Sequence, residues 1–256
     1  MNYYPIKVNN SDPILTFETP SSAYSPRFLA VQGERVFDLG VTCGTCSFVY
    51  NRLKEKPPLS PQVLAETLKN GIQKISEPIV ETVSRILPSG EYAVGLIILY
   101  PKFDHPGKGK YSFVGYGQVN TEFYQCGEKQ VDENGVIEQA IVPLFSTKTL
   151  NQSTVKKYED QIKEGMVPTA LAITIAEGKH FMSGSGYESP DAISVMHFLI
   201  DGHHKIYAAS QLNKPITLLS FLYNYIGASI TYTHQHDPDL HQTMFDLYYK
   251  TDDESK

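Results

Sequence analysis

The run Val195-Met196-His197-Phe198-Leu199-Ile200 carries one polar side chain in six positions and passes straight into Asp201-Gly202-His203-His204-Lys205. A short, nearly continuous apolar run bounded by a turn dipeptide reads as a buried strand. The residues after Asp201-Gly202 read as a helix from about His203 to Leu212, and Ala208 and Ala209 allow that helix to lie close to a sheet. A strand of this kind needs cover on both faces, so the expected class is α/β or α+β, with strands and helices in layers.

The surrounding chain repeats the pattern. Ile137 to Phe145 is a strand candidate. Thr154 to Glu164 is a helix candidate, with Val155, Tyr158 and Ile162 on one face and Gly165 just past its end. Thr169 to Ile175 and Ile216 to Phe221 are further strands, and the Gly- and Ser-rich stretch from His180 to Asp191 is a loop. Before residue 137 the order is less regular. Phe28 to Leu39 reads as a hairpin around Gln32-Gly33-Glu34-Arg35. Three helical spacings follow: Cys46, Val49, Tyr50, Leu53; then Val63, Leu64, Thr67, Leu68, with Ser60, Pro61 and Gly71 as start and stop signals; then Ile79, Val80, Val83, Ile86, Leu87. Tyr92 to Tyr100 is a buried strand, and Tyr111 to Tyr116 is its candidate partner. The apolar pattern lapses between Gln125 and Gly135. The expected organisation is therefore an N-terminal module over 1–137, a second module over 138–230 and an acidic tail over 231–256.

The Asp-Gly-His-His-Lys turn carries the clearest chemistry. The amides of a helix's first turn, together with the helix dipole, favour an anion. Gly202 lets backbone approach a ligand, and Lys205 on the first helical turn can add a full positive charge. His203 and His204 can donate hydrogen bonds or work as a general acid or base near neutral pH. Asp201 can cap the helix or help to hold a cation. The residues alone make a phosphate cradle of Gly202, His203, His204 and Lys205 plausible, and the plainer alternative is a capped helix with surface histidines.

From Val142 to Phe221 this arrangement resembles the ParB/sulfiredoxin-like superfamily. There a D-G-H-H-R or G-x-x-R-x-x-A turn lies between a strand and a helix and contacts nucleotide phosphates. Gly202, Lys205 and Ala208 fall at the corresponding positions. The resemblance covers roughly 80 residues and implies a nucleotide-binding module with a mixed sheet. Lys205 stands where the superfamily usually has arginine, so a point charge replaces a bidentate fork. His203 stands where sulfiredoxins have their reactive cysteine, so the resemblance does not extend to cysteine-sulfinic repair. The basic DNA-binding region that follows this module in ParB proteins has no counterpart in the acidic tail.

Cys43-Gly44-Thr45-Cys46 has the spacing of a redox pair or of half a zinc site, and two packed structural thiols are the third reading. His234, His236 and His241 with Asp237 and Asp239 could bind a divalent metal, or simply decorate a solvated tail. Ser183-Gly184-Ser185-Gly186 lacks the lysine and the following helix of a phosphate loop.

Charge bears on the class of ligand. Residues 1–137 carry 13 Lys/Arg against 14 Asp/Glu, and residues 138–256 carry 9 against 14, with the excess concentrated in the tail. No basic stripe for a nucleic-acid backbone is visible, so a small phosphorylated ligand is expected and nucleic acid is not. No apolar run approaches the roughly 20 residues that cross a bilayer, and three cysteines are too few for a disulfide framework. A cytoplasmic protein with reduced thiols is the expectation.

The leading functional expectation is a nucleotide-dependent enzyme, a kinase or nucleotidase. It would transfer or hydrolyse a phosphoryl group of a nucleoside triphosphate or diphosphate with Mg²⁺. Asp201, His203 and His204 are its candidate catalytic residues. A nucleotide-responsive binding module without chemistry is the alternative, and a thiol or zinc protein acting through Cys43 and Cys46 is the third.

Overall fold

A computed structural model describes residues 4–18, 26–41, 51–59, 68–69, 71–104, 121–130, 135–179 and 191–223. The expectations for the Cys43 and Cys46 pair, the helix after Ser60, the strand at 111–116, the loop at 183–186 and the tail histidines lie outside these residues.

The described residues form an α+β structure. One sheet has eight strands: β1 (Tyr4–Val8), β6 (Gly90–Leu99), β7 (Lys102–Asp104), β8 (Phe123–Gln130), β9 (Gly135–Pro143), β10 (Thr169–Lys179), β11 (Asp191–Asp201) and β12 (Ile216–Tyr223). Their spatial order is β1-β6-β12-β10-β11-β9-β8-β7. The pairs β12/β10 and β11/β9 are parallel and the others antiparallel, so the sheet is mixed. A second, antiparallel sheet joins β2 (Leu15–Glu18), β3 (Pro26–Val31), β4 (Glu34–Val41) and β5 (Asn51–Arg52) in sequence order. The boundary expected at residue 137 falls within β9, and strands from both sides of it share the large sheet.

Period-two alternation sorts the central strands into two faces. Leu171, Ile173 and Ile175 of β10, Met196, Phe198 and Ile200 of β11, and Leu219 and Phe221 of β12 point to one side. There they meet Leu29, Phe37 and Leu39 of the small sheet and Val83 of helix α1 (Glu77–Ser84). Ala170 and Ala172, Leu199, and Ile216 and Leu218 point to the other side. They pack on Val155 and Ile162 of α2 (Gln152–Lys163) and on Ile206, Ala208 and Ala209 of α3 (His203–Gln211). Alanine facing alanine brings α3 close to β10, which sets where the first turn of α3 sits.

Several elements follow the sequence closely. The hairpin β3/β4 turns at Gln32 and Gly33, both with positive φ. The α2 helix ends before Gly165 at φ +99, the left-handed position glycine favours. Two expectations are corrected. Asn51 and Arg52, part of the first helical spacing, pair with β4 as strand β5, because ladder bonds to Phe37 and Asp38 override a local period. The polar stretch from Gln125 is strand β8 as far as Gln130, paired to β9 through a register shift between Gln125 and Glu128.

Candidate functional site

The turn between β11 and α3 lies at the end of the large sheet. Asp201 is the last residue of β11 and pairs with Leu171 of β10. Gly202 follows at φ +95, in the left-handed region, and is the N-cap of α3. A Cβ at Gly202 would come within 2.6 Å of the Ala170 Cβ and 2.9 Å of its Cα. Glycine is therefore required by the neighbouring strand as well as by φ. The Gly202 carbonyl accepts the first helical hydrogen bond, from the Ile206 amide at 2.9 Å. The amides of His203, His204 and Lys205 precede it and have no acceptor within the helix. Among the described residues no side chain caps them, and Asp201 does not fill the capping role open to it in the sequence.

Lys205 is turned inward and is only 3% exposed. Its ammonium donates to the Thr169 carbonyl at 2.9 Å and to the Leu68 carbonyl at 3.0 Å, and it stands 3.6 Å from Asp201 Oδ2. Burial lowers its pKa, and the nearby Asp201 carboxylate works in the opposite direction. Two of the three ammonium donors serve these carbonyls, and the third faces Asp201 across an ion pair too long for a hydrogen bond. The point charge expected to face a phosphate instead joins the start of β10 to the turn at Leu68.

The two histidines are equally engaged. His203 Nε2 accepts from the Phe145 amide at 3.1 Å, and His204 Nε2 accepts from the Asn151 amide at 3.1 Å. An accepting Nε2 fixes both rings as neutral, with the proton on Nδ1. Burial pushes the pKa of His203 down to about 3, helped by the proximity of His204 and Arg52. His204 is half-buried, and desolvation lowers its pKa against the opposing charge of Asp201. Both rings thus hold the connection from β9 to α2, which runs through the short 3₁₀ turn Thr147–Thr149.

The sequence did not point to a second pair that secures the same connection. Arg52 and Glu122 form an ion pair at 3.0 Å, each side chain only 9% exposed. Glu122 also accepts from the Thr147 amide at 2.6 Å and from the Thr147 hydroxyl at 2.8 Å, and Arg52 donates to the Pro143 carbonyl at 2.6 Å. Burial pushes the Glu122 pKa up, but the Thr147 donors and Arg52 outweigh it and hold the carboxyl below the usual range. Burial lowers the pKa of Arg52, and Glu122 opposes that shift. No motif joins the two residues, and only the fold brings them together.

Of the residues of this turn, His203, His204 and Lys205 direct their side chains at the protein's own backbone, and Asp201 faces the Lys205 ammonium. The residues that open α3 are buried apart from His204, which is half-buried. Among the described residues no group of three or more His, Cys, Asp or Glu is placed to hold a metal ion, and no helix is long and apolar enough to cross a membrane. Cys126 is half-buried, and desolvation raises the pKa of its thiol, which makes it a poor nucleophile. No protein-family model, curated protein or solved structure matches the chain.

Proposed function

We propose that this is a cytoplasmic nucleotide-binding protein that holds the phosphates of a nucleoside triphosphate or diphosphate, with Mg²⁺, on the first-turn amides of α3. One observation carries this reading: α3 begins at a glycine, and among the described residues no side chain caps its amides. Unmet donors at the positive end of a helix favour an anion. The resemblance of residues 142–221 to ParB/sulfiredoxin-like modules supports the same choice of ligand.

The side chains around those amides favour binding over chemistry. His203, His204 and Lys205 each hold a backbone partner, so none is poised to move a proton or to neutralise a transferring phosphoryl group. Phosphoryl transfer or nucleotide hydrolysis is the second reading, and Asp201 favours it. Its Oδ2 is buried without a hydrogen-bond partner, an atom suited to a water ligand of Mg²⁺.

Calorimetric titration with ATP and ADP, with and without Mg²⁺, tests the first reading. Micromolar binding that is weakened by His203→Pro, which withdraws one first-turn amide at the helix position that best tolerates proline, with the variant still folded by circular dichroism, supports it. Absence of binding to either nucleotide sinks it. Release of ADP or phosphate during incubation with Mg²⁺ and ATP separates the second reading from the first.

A further inference from the structure

β6 is an edge strand for half of its length. β12 pairs with it from Tyr92 to Leu99, whereas β1 pairs on the other side only from Gly90 to Val94. Beyond the pair of Tyr4 with Val94, the stretch Gly95-Leu96-Ile97-Ile98-Leu99 meets no strand on that side among the described residues. Backbone donors and acceptors along such an edge are a template for a further strand.

Elsewhere the edges of this sheet are guarded. β1 carries Pro5, which has no amide to donate, and the exposed Lys7. β7 at the opposite edge is three residues long with Lys102 and Asp104, and β8 behind it is interrupted by its register shift. The open stretch of β6 has neither charge nor proline, and its side chains are apolar on both faces. Tyr4 lies beside Val94 on the face that alternation gives to Leu96 and Ile98, and Tyr100 follows two positions on. Tyr4, Ile98 and Tyr100 are each more than half exposed. Five large apolar side chains are exposed among the described residues, and three of them thus gather on this one edge.

We propose that Gly95–Leu99 is a dimerisation edge, on which the same segment of a second copy of this chain pairs antiparallel about Ile97. In that register Gly95 opposes Leu99, Leu96 opposes Ile98, and Ile97 opposes itself. Ile98 of each copy then covers Leu96 of the other on the exposed face, at the close spacing of directly opposed side chains. The added strand fits the space left for it. Leu99 of the second copy stops opposite Gly95, one position short of Val94, where Tyr4 of β1 is paired. Pro101 cannot donate to a ladder and ends the added strand there, so the exposed Tyr100 of the second copy meets the exposed Tyr4 at the junction. The uncharged segment selects its own kind: a strand paired with itself sets any charge near a like charge, whereas these apolar side chains match residue for residue. Two eight-stranded sheets thereby become one across a two-fold axis. The contact is small, and interfaces below about 1,200 Å² are weak, so the dimer dissociates in the micromolar range.

Sedimentation velocity of the full chain, from low micromolar to submillimolar concentration, tests the edge. The mass should rise from monomer to dimer across that range. Ile98→Lys places a charge on an exposed position, where it leaves the fold intact but must be buried on pairing, and returns the chain to monomer throughout. Leu53→Lys, a change at an exposed apolar side chain away from β6, leaves the dimer as it was. Hydrogen exchange within Gly95–Leu99 should slow as concentration rises, and should lose that dependence in Ile98→Lys. A chain that stays monomeric at every concentration overturns the proposal. So does a dimer that survives Ile98→Lys, or one lost equally in Leu53→Lys. Protection of Gly95–Leu99 that does not change with concentration would assign the edge to residues 1–3 or another part of the same chain, and overturns it as well. If Ile98→Lys does not fold, the concentration dependence of exchange in the unsubstituted protein decides alone.

Discussion

His203 accepts the Phe145 amide hydrogen at its Nε2 and stacks its ring on the phenyl of the same residue, the centroids 4.5 Å apart and the planes within 16°. Protonation of Nε2 destroys both the acceptor and the neutral stacking face. The folded protein therefore binds this proton only near pH 3, whereas the unfolded chain binds it near the ordinary value of 6.5. His197, wholly buried in β11, is pushed down to about 3 by desolvation as well.

The sign of the pH dependence follows. Between these values the unfolded chain holds more protons, so stability is complete above pH 6.5 and falls as pH drops towards 3. Each of the two histidines contributes a limiting slope of about 1.4 kcal/mol per pH unit. Urea unfolding at pH 7, 6 and 5 measures this. His203→Gln, which keeps an acceptor but does not titrate, should flatten the profile by about one histidine's slope; an unchanged profile would show that His203 is not buried neutral.

Removing one member of the Arg52 and Glu122 pair should be costly, because the other charge stays buried. Arg52→Met and Glu122→Gln are each expected to lose about 3 kcal/mol. In the double variant the losses should fall short of additive by about 1–3 kcal/mol, the signature of direct contact. Denaturant titration of the four proteins checks this, and strict additivity would mean that the pair is not coupled.

Gly202 should tolerate no side chain. Alanine meets two obstacles at once: a left-handed φ of +95 and the Ala170 Cβ at 2.6 Å. Strain and overpacking together predict a loss of about 2–4 kcal/mol for Gly202→Ala. The double variant with Ala170→Gly should recover the steric part and leave the cost of φ. Thermal melts of both would show it, and equal Tm values for the two would refute the contact with β10.

The strand-turn-helix at 195–212 was legible because every local signal agreed: an apolar run, a turn dipeptide and small residues on the helix. Helix α2 was legible for the same reason, although Asn151 caps it and the sequence had suggested a start near Thr154. Strand β5 was hidden because its two residues are held by β4 and not by their own neighbours. Strand β8 was hidden by polarity, since ladder bonds to β9 need no apolar side chain. The site was half legible. The sequence placed Lys205 on the first turn of α3, but the direction of a long side chain depends on which acceptors the fold brings near. The Leu68 carbonyl is contributed by a remote backbone. Arg52 and Glu122 stand 70 residues apart and have no spacing to betray them.

The last prediction concerns a polar row inside the large sheet. Thr174 Oγ1 lies 2.8 Å from His197 Nδ1 and 2.7 Å from Ser220 Oγ, and all three residues are fully buried on neighbouring strands β10, β11 and β12. They lie on the face that carries α2 and α3, one alternation beyond Ala172 and Leu199. Thr174→Val keeps the volume but withdraws the central hydroxyl, so the imidazole and the serine each lose that partner in a dry site. The expected loss is about 2–4 kcal/mol, the cost of two buried polar groups left without this bond. Ser220→Ala removes one end of the row, and the threonine keeps its histidine, so about 1 kcal/mol is expected. Because His197 is held neutral by burial, neither change should create a titration near pH 7. Unfolding by urea at pH 7 ranks the two variants, and a serine change costlier than the threonine change would show that Thr174 is not the centre of the row.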